Sequence, residues 1–418
     1  MRRRLFAVAV LAAVATAAGV VPATAEIAQP AVVTINPVDW TPHVLDGTVR
    51  AIVQVGDSIV VGGDFTTVAT SDGRFRHRRQ NIFAFDAGTG ALRRFAPSVD
   101  GPVYALAAGP SGTVYAGGAF RTVNGVGQRG LTRLSVSTGG RVTSFRAGIN
   151  WGDVRALALA GTRLYAGGAF SAVNRVPRAG LARLDAGSGA VDTGFDARLT
   201  AVDANRARVE DFALSPDGRR LIVVGAITHA AGVPRDQVVL LDTGGPSAVV
   251  ANWYTDAYQQ DCDPRYDTYL RGVDFAPDAS YFVVVSTGNM TGATRMCDTA
   301  ARFQVAGAGR HPATWVNHTG GNTLFAVAIT GTAVYVGGHQ QWLDNPHGNK
   351  SAGPGAVSRP GIGAIDPRTG RALAWNPTRS RGVGVRAFLA TGSGLWVGSD
   401  TDQLGHEYHA RIGMFPLP

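Results

Sequence analysis

Residues Val154–Asp196 read VRALALAGTRLYAGGAFSAVNRVPRAGLARLDAGSGAVDTGFD. Four short apolar segments lie between turn signals. The first two meet at Gly161-Thr162, and the third and fourth at Asp185-Ala186-Gly187-Ser188-Gly189. A longer polar loop separates the second from the third. Apolar residues alternating over four to eight positions, punctuated by Gly, Asp and Ser, specify strands. No window outside the N-terminal leader carries a sustained apolar pattern at helical spacing. One copy therefore reads as a four-stranded antiparallel meander, which cannot bury both its faces alone and needs neighbours.

Working outward, the same pattern recurs. First strands begin at Val49, Val103, Val154, Val209, Leu270, Leu324 and Val385, spaced by 54, 51, 55, 61, 54 and 61 residues. Second strands carry the best-kept signature: IVVGGDF from Ile59, VYAGGAF from Val114, LYAGGAF from Leu164, VYVGGHQ from Val334 and LWVGSDT from Leu395. Third and fourth strands recur as IFAFDAGTGALRRF, LTRLSVSTGGRVTSF, LARLDAGSGAVDTGF and IGAIDPRTGRALAW. Copies four and five have drifted, with LIVVGAI and YFVVVST where the double glycine stands elsewhere. Seven copies of a four-stranded unit at this period predict an all-β, seven-bladed β-propeller of antiparallel blades. The seventh copy stops after its third strand at Pro418. The lead-in Val33–His43, VTINPVDWTPH, resembles a fourth strand, so it is expected to complete the last blade, close the ring and cover both terminal edges.

Residues 1–25 read as an export signal: Arg2, Arg3 and Arg4, an Ala/Val/Leu run, then Ala23-Thr24-Ala25 as a small-x-small cleavage site. Arg3-Arg4-Leu5-Phe6 also resembles a twin-arginine signal, against the general secretory route. The expectation is a single domain over 26–418, secreted, cleaved after Ala25, monomeric and without a transmembrane segment, since no second long apolar run exists. The 39 Lys+Arg include three in the leader and stand against 30 Asp+Glu, a mature charge of about +6; Lys350 is the sole lysine. No lysine run or basic stripe interleaved with aromatics stands out, which argues for a solvated arginine-rich surface and against nucleic acid.

In such a meander the links between strands two and three, and from blade to blade, share one face, here called the upper face. Its loops are long: Thr66–Gln80, His339–Pro360, Asp400–His409 and the link Asp256–Tyr269. Long loops on a rigid scaffold are where binding resides. Cys262 and Cys297 fall on adjacent upper loops, 35 residues apart, and in an exported chain they are expected to pair. That closure is worth at most ~4 kcal/mol. His318, His339, His347, His406 and His409 fall on the same face of two adjacent blades, with Trp342 beside them. Imidazole binds metals and titrates near neutral pH, so a metal ion is one reading of these residues and backbone-satisfying loop histidines the other. His406-Glu407-Tyr408-His409 is a weak metal spacing. No cofactor is otherwise predicted.

Arg50, Arg155, Arg271 and Arg386 stand near the starts of four first strands, at the expected upper mouth of the channel. Such a ring would attract carboxylate, phosphate or sulfate. The alternative pairs the arginines with link aspartates such as Asp46 and Asp153, and Glu210 at the equivalent place lowers the charge. Asp86, Asp185, Asp242 and Asp366, flanked by Gly, Ser and Thr, read as turn caps. Gly-x-Ser-x-Gly, a P-loop, a dinucleotide fingerprint and His-Glu-x-x-His are all absent from the sequence.

The pattern AGGAF-x-x-V-N, then R-x-G-L-x-R-L, then TG and a final aromatic, resembles the delta-60 repeats of secreted bacterial propellers over most of 45–418. It is most specific at Leu164–Phe195 and Val114–Phe145. The double glycine also resembles kelch blades, and the layout is similar to the cortical polarity-marker propellers of fungi. The resemblance implies fold and export and carries no catalytic residues. Two functions follow as expectations. One is a non-enzymatic binding or scaffold propeller engaging an extracellular glycan, cell-wall polymer or protein through its upper face. The other is a propeller enzyme acting on a sugar or lactone at the upper channel mouth, with metal assistance at the histidines.

Overall fold

The computed structural model describes residues 27–201, 207–259, 262–378, 380 and 382–418; the expected export signal lies outside them. The described chain is all-β. Seven larger antiparallel sheets follow one another. Their first strands are Thr48–Val55, Val103–Gly109, Val154–Ala160, Arg208–Leu214, Leu270–Phe275, Leu324–Ile329 and Ala387–Thr391. Each pairs with a second strand, which pairs with a third, as the sequence period predicts. The first strand of each sheet lies against that of the next, and the seventh lies against the first.

The expected fourth strand is present in two sheets only, as Val249–Val250 and Trp315–His318. In four others it shrinks to a single bridge: Phe85 with Leu92, Leu134 with Arg141, Leu184 with Val191 and Ile365 with Ala372. Tight Gly/Thr turns leave room for one pairing before the chain must climb to the next sheet. The segment still covers the edge through its last aromatic. Phe145 packs edge-on against Tyr115 at 5.3 Å, Phe195 against Tyr165 at 5.6 Å and Trp375 against Tyr335 at 5.2 Å. On the seventh sheet that place is taken by the N-terminal segment: Thr34 N donates to Pro416 O and Val38 N to Met414 O, both at 2.9 Å. Trp375 Nε1 holds the same segment by donating to Thr34 O at 2.9 Å.

The double glycine has a steric cause. A Cβ on the first glycine would strike the first strand of the next sheet, and on the second it would strike a backbone carbonyl of its own sheet. At Gly117 it would lie 2.6 Å from Val154 Cγ1, and at Gly118 2.0 Å from Pro102 O. Gly62 meets Val103 at 2.6 Å, Gly337 meets Val385 at 2.5 Å, and Gly398 of the seventh sheet meets Val49 of the first at 2.5 Å.

The long upper loops are themselves folded into small hairpins: Thr67–Ala69 with Arg76–Arg78, Thr122–Val123 with Val126–Gly127, Trp342–Leu343 with Val357–Ser358, and Gln403–Leu404 with Glu407–Tyr408. The link leading into a sheet braces that sheet's hairpin; His43–Val44 pairs with Val68 and Ala69, and Val99 bridges Val123. Cys262 and Cys297 are disulfide-bonded, with Cα atoms 5.8 Å apart. Among the described residues no helix is long and apolar enough to cross a membrane.

Gly398→Ala should lower stability by ~1–3 kcal/mol, as overpacking does. Val49→Ala in the same chain should recover part of that loss. Urea unfolding of the two single variants and the double variant gives the coupling, which for residues in contact is ~0.5–3 kcal/mol. Strict additivity would mean that the first and seventh sheets do not meet there.

Candidate functional site

Six of the seven first strands begin with the same irregularity. The register between first and second strands slips at Val49/Ala51, Val103/Ala105, Val154/Ala156, Val209/Asp211, Leu270/Gly272 and Leu324/Ala326. The bulged residues are Arg50, Tyr104, Arg155, Glu210, Arg271 and Phe325. A bulge re-aims one side chain, and here all six line one cavity of about 490 Å³ together with Arg386 of the seventh sheet. Read in sheet order the collar is Arg, Tyr, Arg, Glu, Arg, Phe, Arg. Ile52, Leu106, Leu157, Phe212, Val327 and Phe388 line the same cavity two residues further along six of the seven strands.

The four arginines that the sequence singled out therefore converge, but they are not equivalent. Arg155 is fully engaged: Nε donates to Asp153 Oδ1 at 2.8 Å and Nη1 to Glu210 Oε2 at 2.5 Å. Glu210 also accepts from Arg208 Nε at 2.6 Å. Burial works against the charge on Arg155, yet Glu210 and Asp153 outweigh it and raise the guanidinium pKa. Burial likewise opposes the Glu210 carboxylate, and Arg155, Arg208 and Arg271 hold it below its ordinary range. Arg50 pairs with Asp64 at 3.1 Å, and Asp46, the expected partner, instead caps the hairpin through Thr66 N and Thr67 N.

Arg271 and Arg386 differ. Arg271 Nη1 donates to Thr268 O at 3.1 Å and Leu270 O at 2.9 Å, while Arg386 sits 3.5 Å over the Phe325 ring. Neither forms an ion pair among the described residues. Burial lowers the pKa of both; for Arg386, with Arg50 adding like-charge repulsion, the value falls to about 10. One side of the collar is thus internally neutralised, and the other carries three guanidinium groups with one carboxylate between them.

The same cavity holds Asp211. Burial pushes its carboxyl up to about 7, against hydrogen bonds from Val273 N at 3.0 Å and Phe212 N at 2.9 Å. It is half-buried in the cavity wall between the fourth and fifth sheets.

The histidines do not converge. His339 and Trp342 share a cleft of about 290 Å³ with Ser358 and Ser380, and His339 Nδ1 meets Gly382 O at 2.8 Å. His318 lies in a separate cavity of about 360 Å³ with Asp344 and Arg371, its pKa lowered by burial and then by His347. His409 is buried beneath the seventh sheet's hairpin, its Nδ1 3.2 Å from Thr41 Oγ1 and its Nε2 3.5 Å from Glu407; burial lowers its pKa. His406 occupies a left-handed turn at φ 69° and contacts Thr378. Among the described residues no group of three or more His, Cys, Asp or Glu side chains is arranged to hold a metal.

Three of the four turn aspartates cap as expected: Asp86 on Gly88 and Thr89, Asp185 on Gly187 and Ser188, Asp366 on Arg368 and Thr369. Asp242 instead pairs with Arg220 at 3.0 Å. Sequence reasoning also passed over a basic, aromatic stretch. Arg74–Arg79 reads RFRHRR, and the structure exposes it on the first sheet's hairpin with Phe75 64% exposed. The reading of a surface without such a stripe is corrected there.

Residues 163–195 match the family described as a domain of unknown function (DUF5122) β-propeller. No curated protein matches the chain. Among solved structures, the computationally designed Ika8 protein is similar at a TM-score of 0.50, with 12% identity over 94% of this chain and 99% of its own. At that identity the likeness is one of fold alone. The family match and the all-strand build make this a propeller-type chain.

Three predictions follow from the collar and its cavity. Arg155→Met leaves Asp153 without its guanidinium and Glu210 with Arg208 alone. Breaking a fully buried pair costs ~3–5 kcal/mol; with Arg155 28% exposed, ~2–3 kcal/mol is expected. Arg386→Met removes a desolvated cation that forms no ion pair among the described residues and should leave thermal stability unchanged or higher. For Asp211 the folded pKa lies above the unfolded value of roughly 3.9, so folding favours the neutral acid. Its stabilising contribution is complete below that value and is lost as pH rises through about 7. The melting temperature should fall between pH 5 and pH 8, and the fall should be shallower in Asp211→Asn.

Proposed function

We propose that this is an exported, seven-bladed β-propeller whose ring is closed by its N-terminal segment, and that it is a non-enzymatic binding protein for an anionic extracellular ligand. The ligand enters at the collar. Its chemistry is a carboxylate, sulfate or phosphate carried on a glycan, a cell-wall polymer or a protein. The observation that carries this reading is the unequal collar: Arg50, Arg271 and Arg386 face one cavity with Asp64 as their only ion-paired carboxylate among the described residues. The bulges that aim these side chains inward recur sheet after sheet, so the cavity is a product of the repeat itself. The delta-60 and kelch resemblance supports the blade count and export, and the disulfide fits an oxidising compartment.

An enzymatic reading, with a sugar or lactone as substrate, draws on the neighbouring carboxyls Glu210 and Asp211, whose environments drive their pKa values apart. Against it, both Asp211 oxygens are occupied by backbone N–H groups, one of them on the next sheet. That is a structural role, and binding is the reading the geometry favours. The cleft with His339 and Trp342 is lined by no Asp, Glu, Lys or Arg side chain and offers an aromatic face and hydroxyls to a sugar ring.

Calorimetric titration with a hexuronate oligosaccharide and its neutral counterpart tests the proposal. Binding should be confined to the acidic ligand and should weaken with salt, since the Debye length falls from about 10 Å at 0.1 M to about 3 Å at 1 M. Arg271→Gln combined with Arg386→Gln should abolish it without lowering the melting temperature. Equal affinity in that variant would overturn the collar as the site.

A further inference from the structure

The hairpin of the first sheet has a composition that neither the fold nor the collar uses. Thr67–Ala69 pairs with Arg76–Arg78, and the turn between them is locked: Asp72 Oδ1 accepts from Arg74 N at 3.0 Å and from Thr70 Oγ1 at 2.5 Å. This ordered tip presents Phe75 at 64% exposure. Arg74, Arg76 and Arg78 around it are exposed as well. Arg74 reaches Asp72 at 3.6 Å, whereas Arg76 and Arg78 form no ion pair among the described residues. The two flanking hairpins add exposed apolar residues, Tyr408 at 57% and Val126 at 49%, with Arg121 and Arg129 exposed beside the latter. Tyr408 is tied to the first hairpin, because its ring lies 4.8 Å from His43, whose strand pairs with Val68 and Ala69. Three adjacent upper-face hairpins thus project apolar side chains, set among arginines on the first and second and beside Glu407 on the seventh.

We infer that this arc docks on an anionic phospholipid surface, with Phe75 entering the interface and Arg74, Arg76 and Arg78 at the level of the headgroup phosphates. Charge complementarity alone would admit a soluble polyanion. Phe75 decides between them: a phenyl ring has no polar group to offer a hydrated polymer, but gains by leaving water for the acyl boundary, while arginines remain with the phosphates. The locked turn keeps the ring outward without a partner inside the protein, so little ordering is needed on docking.

The test is flotation of the protein with phosphatidylcholine vesicles with and without phosphatidylglycerol. Binding should require the anionic lipid and weaken with salt. Arg76→Gln and Arg78→Gln should each reduce partitioning about fivefold, and Phe75→Ala about tenfold or more. All three should fold as the parent does, because the replaced side chains are exposed. Phe75→Trp supplies the direct readout: the fluorescence of the introduced indole should shift to the blue on vesicles and not with soluble polyphosphate. Arg271→Gln with Arg386→Gln should keep vesicle binding, which separates this surface from the collar. An unshifted emission from the Phe75→Trp variant on vesicles, equal binding to neutral vesicles, or binding that ignores the residue at 75 would overturn the inference. Polyphosphate bound as tightly by Phe75→Ala as by the parent would assign the arc to a soluble polyanion instead.

Discussion

The glycine that opens each sheet to its neighbour is the contact on which this architecture depends. Gly62, Gly117, Gly167, Gly337 and Gly398 stand where a Cβ would lie under 3 Å from a side chain of the next sheet's first strand. Val103, Val154, Val209, Val385 and Val49 fill the space. A β-branched side chain is stiff, so each valine fits its glycine in one orientation. The period of the chain sets how many such contacts there are, and the contact from Gly398 back to Val49 joins the last sheet to the first.

The register slip follows directly after that position in six of the seven sheets, after a valine in four and a leucine in two. The residue next to the packing contact is therefore the one turned into the cavity. Scaffold and site are built by consecutive residues: the valine closes the sheet–sheet seam and its successor forms the collar. Loss of the seam would misplace the collar, whereas Arg, Tyr, Glu and Phe exchange freely at the collar position without touching the seam. This separation lets the ligand chemistry vary while the repeat stays intact.

Strand order, the paired cysteines and the inward arginines were legible in the sequence because each rests on spacing along the chain. The partners of those arginines were not. Asp46 and Asp64 are both near Arg50 in sequence terms, and only the register of the first two strands, which sets Asp64 against Thr48, brings it within 3.1 Å of the Arg50 side chain and leaves Asp46 to cap Thr66 and Thr67. The bulge itself leaves no composition signal, so Tyr104 and Phe325 stayed invisible as collar members. The scattering of the histidines has the same origin: one upper face spans many ångströms, and proximity in loop lists says nothing of which cleft each loop borders. The stretch Arg74–Arg79 needed no structure to be seen, only attention to arginine as well as lysine.

The drifted copies show what replaces the glycine contact. Val224 and Val285 stand at the glycine position of the fourth and fifth sheets, and the next first strands begin with Leu270 and Leu324 in place of valine. At these same two seams a carboxylate crosses over. Asp211 accepts from Val273 N on the fifth sheet, and Asp274 accepts from Ile329 N on the sixth at 2.8 Å. The disulfide also ties the link into the fifth sheet to its upper loop. A hydrogen bond to a buried backbone amide fixes position as a glycine contact does, but it desolvates a carboxyl in doing so. Burial is what raises the pKa of Asp211, and the collar shares its effect, since Asp211 and its neighbour Glu210 line the same cavity as the arginines. Glu210 in turn neutralises Arg155, which leaves Arg271 and Arg386, without an ion pair among the described residues, on the side of the collar that also holds the Arg50–Asp64 pair.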